Sequence, residues 1–112
     1  MEFSRRKWGY YLTVYSAKRF KIKFLYFKKD TSCSMQRHFK RSETWCFLFG
    51  KGLFWKDSKS NIVKKDWIAN VEAGSSVCLA MRDWHMYVAQ KPTLVLEIQT
   101  GTCEESDIER AA

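Results

Sequence analysis

Apolar and aromatic residues in this chain come in short runs at roughly ten-residue spacing, with turn residues between them and no helical period of useful length. That rhythm predicts an all-β fold. RFKIKFLYF, Arg19 to Phe27, alternates, with Phe20, Ile22, Phe24 and Tyr26 on one side and Arg19, Lys21 and Lys23 on the other. It reads as a half-buried strand with its charged face in water. TWCFLFG, Thr44 to Gly50, is apolar on both faces, as an interior strand is. GKGLFW, Gly50 to Trp55, opens with two glycines, a tight turn ahead of another strand. KDSKSN, Lys56 to Asn61, is polar and reads as a loop. DWIANVEAG, Asp66 to Gly74, SVCLAM, Ser76 to Met81, WHMYVA, Trp84 to Ala89, and TLVLEIQTG, Thr93 to Gly101, supply further strands. Gln90-Lys91-Pro92 turns the chain at its only proline. Only the tail, EESDIERAA, has helical composition.

The 112 residues make one domain, residues 1–112, with a single modest core. A hydrophobic content of 46%, with 16% aromatic, excludes disorder. Against 20 Lys and Arg stand 12 Asp and Glu, and the formal charge of +8 draws anions. Nucleic acid is not the expected one, because the alternation of RFKIKFLYFKK already explains its lysines as the wet face of a strand. Cys33, Cys46, Cys78 and Cys103 form no CxxC pair, which argues against a zinc ribbon and for idle thiols in a reducing compartment. No apolar run approaches the ~20 residues of a membrane helix. Arg5-Arg6-Lys7 before WGYYLTVYSA imitates a signal peptide, but the middle is tyrosine-rich rather than aliphatic. The expected compartment is the cytoplasm.

The stretch SMQRHFKRSETW, Ser34 to Trp45, carries the chemistry. On a strand Gln36 and His38 share a face. If Lys40-Arg41-Ser42 turns the chain, Glu43 returns on the neighbouring strand and meets them. An amide oxygen, an imidazole and a carboxylate then surround one point, and one more ligand completes a site for a divalent cation. The only other histidine is His85. The competing account makes the histidines ordinary satisfied residues of a β domain and Glu43 with Arg41 a surface pair.

Three segments bear a resemblance that separates these accounts. KWGYY, Lys7 to Tyr11, is similar to a proline-tryptophan-glycine opening, with Lys7 in place of the proline. SMQRHFKRSETWCFLFGKG, Ser34 to Gly52, resembles a first cupin motif in which serine-leucine-glutamine precedes histidine, arginine, glutamate and tryptophan. PTLVLEIQTGTCEESDIER, Pro92 to Arg110, is similar to a closing strand, a glutamine-glycine turn and an acidic Asp-Ile-x-Arg ending. VEAGSSVCLAMRDWH, Val71 to His85, fits the second motif more loosely. Together they resemble the cupin domain of the type II mannose-6-phosphate isomerases, which also occurs fused behind mannose-1-phosphate guanylyltransferases.

The resemblance implies a single-domain cupin, a double-stranded β-helix or jelly-roll barrel with a metal at its wide end. Its ligands would be Gln36, His38, Glu43 and His85, around one divalent ion, zinc favoured over iron, manganese, cobalt or nickel. The implied reaction interconverts mannose 6-phosphate and fructose 6-phosphate through a cis-enediol. It needs a Lewis acid for the carbonyl, a base near neutral pH and cations for the phosphate. Arg110 takes the position of the family's terminal arginine and is the candidate catalytic residue. Lys40 and Arg41 are candidates for holding the phosphorylated hexose. Arg37 is a weaker one, since alternation turns it from the ligand face. Glu97 and Gln99 share a face of the last strand and look into the barrel. Trp8, Trp45 and Trp84 are read as core or rim packing.

The chain departs from the family where further histidines often stand, holding Phe39, Lys40 and Thr44, and it lacks an asparagine shortly after His85. No nucleotidyltransferase domain is read in it, so guanylyl transfer is not expected. The rival function is a non-catalytic cupin that binds a sugar or serves in structure or assembly. A homodimer is the expected assembly.

Overall fold

The computed structural model describes residues 1–57 and 67–111, for Trp67 and Ile68 the backbone alone, and every described element is a strand. In chain order these are β1 (Glu2–Arg6), β2 (Gly9–Ala17), β3 (Phe20–Phe27), β4 (Thr31–Ser32), β5 (Gln36–Arg37) and β6 (Arg41–Phe49). They continue as β7 (Lys51–Asp57), β8 (Trp67–Glu72), β9 (Ser76–Leu79), β10 (Trp84–Ala89), β11 (Thr93–Gly101) and β12 (Glu109–Arg110). Two antiparallel sheets form, in the orders β1-β2-β3-β11-β6-β9 and β12-β5-β10-β7-β8, with β4 also on β10. No described helix is long and apolar enough to cross a membrane.

The two sheets bury alternate residues between them, as their period of two requires. Phe27, Trp45, Phe47, Phe54, Tyr87 and Val95 fill the core. Phe27 stacks on Trp8 with ring centroids 4.3 Å apart and meets Tyr87 edge-on at 5.0 Å, arrangements that suit the ring quadrupoles. This aromatic plug closes one end of the space between the sheets. Toward the other end the inward positions turn polar: Lys23 on β3, Arg41 and Glu43 on β6, His85 on β10, and Glu97 and Gln99 on β11 are all buried.

Two glycines permit the close packing. A methyl group at Gly9 would run into the Tyr26 carbonyl oxygen across β2 and β3, which explains the glycine after Trp8. Gly50 turns β6 into β7 with a φ of 107°, in the left-handed region that side chains disfavour.

The strands read from the alternation are present, with β7 reaching Asp57, so that Lys56 and Asp57 belong to a strand rather than a loop. The rest of that loop, and Asp66, lie outside the described residues. Two further readings are corrected. In β3 the buried face carries Lys23, Leu25 and Phe27, and Phe20, Ile22, Phe24 and Tyr26 lie on the outer side. Lys23 turns inward, and both it and Lys21 pair with Glu105. The tail forms no helix. It turns at Glu105 and Ser106, Asp107 is held by the β5–β6 bend and Glu109–Arg110 pairs with β5, contacts that override local composition. The N-terminal hairpin of β1 and β2 escaped the sequence reading altogether.

Candidate metal centre

His38 follows β5, Glu43 lies on the inward face of β6, and His85 lies on the inward face of β10. Their ligand atoms all fall within 4.8 Å of one another. Glu43 Oε2 is 3.4 Å from His38 Nε2, and Glu43 Oε1 is 3.9 Å from His85 Nε2. The chain bends at Phe39 and Lys40, just ahead of the turn expected from the sequence, and brings Glu43 back against His38.

Both imidazoles are aimed by backbone. His38 Nδ1–H donates to the Asp107 carbonyl at 2.6 Å, and His85 Nδ1–H donates to the Asp83 carbonyl at 3.3 Å. Each bond places the proton on Nδ1 and leaves the Nε2 lone pair facing Glu43, as metal-binding histidines are usually oriented. Burial lowers the proton affinity of both rings, against the pull of Glu43, and takes His85 down to about 4. Burial opposes the charge on Glu43. His38, His85, Arg41 and the Trp45 indole N–H outweigh it and hold the carboxyl down to about 2. Trp45 Nε1 donates to Glu43 Oε1 at 3.2 Å, so this core residue also steadies a ligand.

This donor set fits a divalent cation. Two neutral nitrogens and one carboxylate match a borderline metal. His85 Nε2, buried, has no hydrogen-bond partner among the described residues. The set also attracts a cation now: Arg41, 5% exposed, donates from Nε to Glu43 at 2.9 Å and from Nη2 to His38 Nε2 at 3.2 Å. Gln36 stands beside it as the register partner of His85, with its Oε1 accepting from the Ser34 hydroxyl at 3.3 Å.

His38, with Gln36 and Arg41, lines a cavity of about 490 Å³, within the range of small-molecule sites. Arg6, Lys7, Lys23, Arg41 and Arg110 give its walls positive charge. Arg110 stands across from Gln36 on β12. Lys40 is exposed and does not belong to the lining, and its amide binds Asp107 instead. Arg37 lies over the rings of Phe39 and Trp84 and pairs with Glu109. Glu97 and Gln99 do face the cavity. Lys23, Glu105 and Asp107 were missed by the sequence reading. The acidic run before Asp-Ile-x-Arg was the one signal for the last two.

Comparison with known proteins places this geometry. The family model for the mannose-6-phosphate isomerase C-terminal domain matches residues 2–112. No curated protein matches the chain. Among solved structures, an RmlC-like cupin protein from Desulfovibrio desulfuricans aligns with a TM-score of 0.66 at 20% identity, covering 80% of this chain and 79% of that one. KdgF from Halomonas sp. aligns at 0.72 with 10% identity, covering 95% and 93%. The capsular polysaccharide assembling protein CapF from Staphylococcus aureus aligns at 0.74 with 12% identity, over 97% of this chain and 33% of that one. The chain thus spans about a third of CapF, and these likenesses establish a cupin fold.

Proposed function

The chain belongs to the mannose-6-phosphate isomerase C-terminal family, and from that premise we propose that it is a metal-dependent isomerase of sugar phosphates. Mannose 6-phosphate and fructose 6-phosphate are the proposed pair. The observation that carries the reading is the convergence of His38, Glu43 and His85 on one point, with His38 also lining a cavity with cationic walls. His38, Glu43 and His85, with Gln36 as a fourth, would hold one divalent ion, zinc by preference. When bound, the ion supplies a Lewis acid for the sugar carbonyl.

The remaining work falls to this chain's own groups. Arg110, at the cavity wall, holds the phosphate, and Arg6 at the end of β1 and Lys7 on the β1–β2 turn add charge to the lining. Asp107 and Asp83 keep the two imidazoles in one tautomer. Trp45 fixes the carboxylate of Glu43.

A coupled assay of mannose 6-phosphate isomerisation, run on metal-loaded protein beside a chelated sample and Glu43→Ala, tests the proposal. Turnover lost in both controls supports it. Absence of turnover with metal confirmed by elemental analysis removes it. The second reading, a non-catalytic sugar-binding cupin, is favoured by Arg41, whose guanidinium already engages two of the three donors. That reading requires sugar phosphate to bind without being converted.

A further inference from the structure

Glu97 sits on the inward face of β11, 5% exposed, and takes no part in the donor set. Its register partners are Lys23 on β3 and Trp45 on β6. Gln99, two residues along on the same face, is the register partner of Glu43. Two strand residues span about 6.8 Å, so Glu97 lies one inward position along β11 from the layer of Glu43, and it lines the cavity. Gln99 Nε2 donates to Glu97 Oε1 at 2.7 Å and fixes the carboxyl.

A second observation points to a ligand. Gln99 is fully buried and lines the cavity, yet its Oε1 has no hydrogen-bond partner among the described residues. Leaving a buried acceptor unsatisfied is costly. A hydroxyl group entering the cavity satisfies it, and a polyol carries several. A buried carboxyl and an unpaired amide oxygen, side by side next to the candidate donor layer, suit a sugar whose carbonyl end enters that layer.

We propose that Glu97 is the catalytic acid–base of the isomerisation, carrying the proton between C2 and C1, with Gln99 positioning it and accepting a sugar hydroxyl. This rests on the isomerase reading above. From the aldose, the Glu97 carboxylate takes the proton from C2. The C2–H electron pair becomes the C1=C2 bond of the enediol, and the carbonyl pair moves to O1, which gains a proton. O2 then loses a proton as C2=O forms, and the C1=C2 pair takes the proton back from Glu97 at C1. The proton lost by O2 balances the one gained by O1 through solvent. C1 is reduced, C2 is oxidised, and no outside redox partner is needed.

The electrostatics agree with such a role. Burial, reinforced by the charge of Glu43 and opposed by Lys23, Gln99 and Arg41, pushes the carboxyl up to about 8. Both protonation states are therefore accessible near neutral pH, as an acid–base group requires.

The test compares wild type, Glu97→Gln, Glu97→Asp and Gln99→Leu on zinc-loaded protein. The measurements are kcat, KM, metal content, melting temperature and exchange of the C1 and C2 hydrogens with D2O. The expected result for Glu97→Gln is a fall in kcat of about 100-fold or more and loss of exchange, with KM and metal content within about twofold. Glu97→Asp recovers part of the rate, and Gln99→Leu raises KM. A Glu97→Gln enzyme within about threefold of wild-type kcat overturns the role of Glu97 and leaves the isomerase standing. So does a loss of rate that tracks loss of metal. An inactive but metal-loaded wild type overturns both.

Discussion

Asp107 holds His38 from one side of its residue and the β5–β6 bend from the other. Its carbonyl accepts from His38 Nδ1, and its carboxylate accepts from the amides of Phe39 at 3.0 Å and Lys40 at 2.8 Å. Burial works against that carboxylate, and the two amides, with His38 and Arg41, still hold its proton affinity below the ordinary range. The tail therefore sets the orientation of a candidate ligand. Asp107→Ala keeps the carbonyl but frees the bend. Stability should fall by about 1–2 kcal/mol, and zinc affinity by about 10–100-fold, as for other groups that orient a ligand. Titration calorimetry with zinc and a thermal melt check both. Unchanged zinc affinity would mean that the bend holds its shape without the carboxylate.

Trp45 joins the aromatic core to Glu43, being 2% exposed and donating its indole N–H to the carboxylate. Trp45→Phe keeps most of the ring packing and removes that donor. The buried carboxylate then loses one of its hydrogen bonds, at a cost of about 1–3 kcal/mol. A urea titration should show a lower midpoint with an unchanged slope. Unchanged stability would show that Arg41 alone suffices to hold Glu43.

The signs of the pH dependence separate Glu97 from His85. Glu97 is raised above its unfolded value, so its stabilising contribution is present below about 4.5 and is lost as pH rises toward about 8. His85 is lowered, so the unfolded chain binds its proton first, and stability is lost as pH falls from about 6.5 to about 4. Above pH 6.5 the histidine no longer contributes and Glu97 dominates until the thiols titrate. The apo protein should therefore lose melting temperature between pH 6.5 and 8, and Glu97→Gln should flatten that slope. A wild-type slope that survives in the variant assigns it to another group.

The strand rhythm was legible because one period of two describes nearly every segment. The site was legible because Gln36, His38 and Glu43 flank a single bend and the chain holds only one further histidine. Which face of β3 turns inward was not. Lysine and aromatic residues alternate there, and either face reads as the buried one until the polar barrel interior is known. Lys23 is 4% exposed and pairs with Glu105, some eighty residues away in sequence. Long-range contacts also keep out of a helix a tail whose local composition is helical: Asp107 binds the β5–β6 bend and β12 pairs with β5. That Arg41 is buried beside Glu43 was not legible for a related reason: its direction follows from the register with Gly101, which no local pattern reveals.

Lys23 offers a direct check of that inverted strand. Its ammonium lies 4.4 Å from the centre of the Tyr11 ring, pairs with Glu105 and stands across the ladder from Glu97. Glu105 is nearly half exposed, so removing the lysine leaves it hydrated rather than stranded. With its acidic partner hydrated, the pair is worth little, so Lys23→Met should change stability by no more than about 1 kcal/mol near pH 6. Its effect should appear at higher pH. Lys23 is the leading group that lowers the proton affinity of Glu97, so without it the carboxyl titrates still higher, and the alkaline loss of melting temperature moves upward with it. Were Lys23 on the wet face, as the alternation alone suggests, the substitution would leave the pH profile unmoved and add an exposed methionine. Melts across pH 6 to 9 for wild type, Lys23→Met and Lys23→Met/Glu97→Gln distinguish the two placements. In the double variant the shift should vanish, because the group that reports on Lys23 is gone.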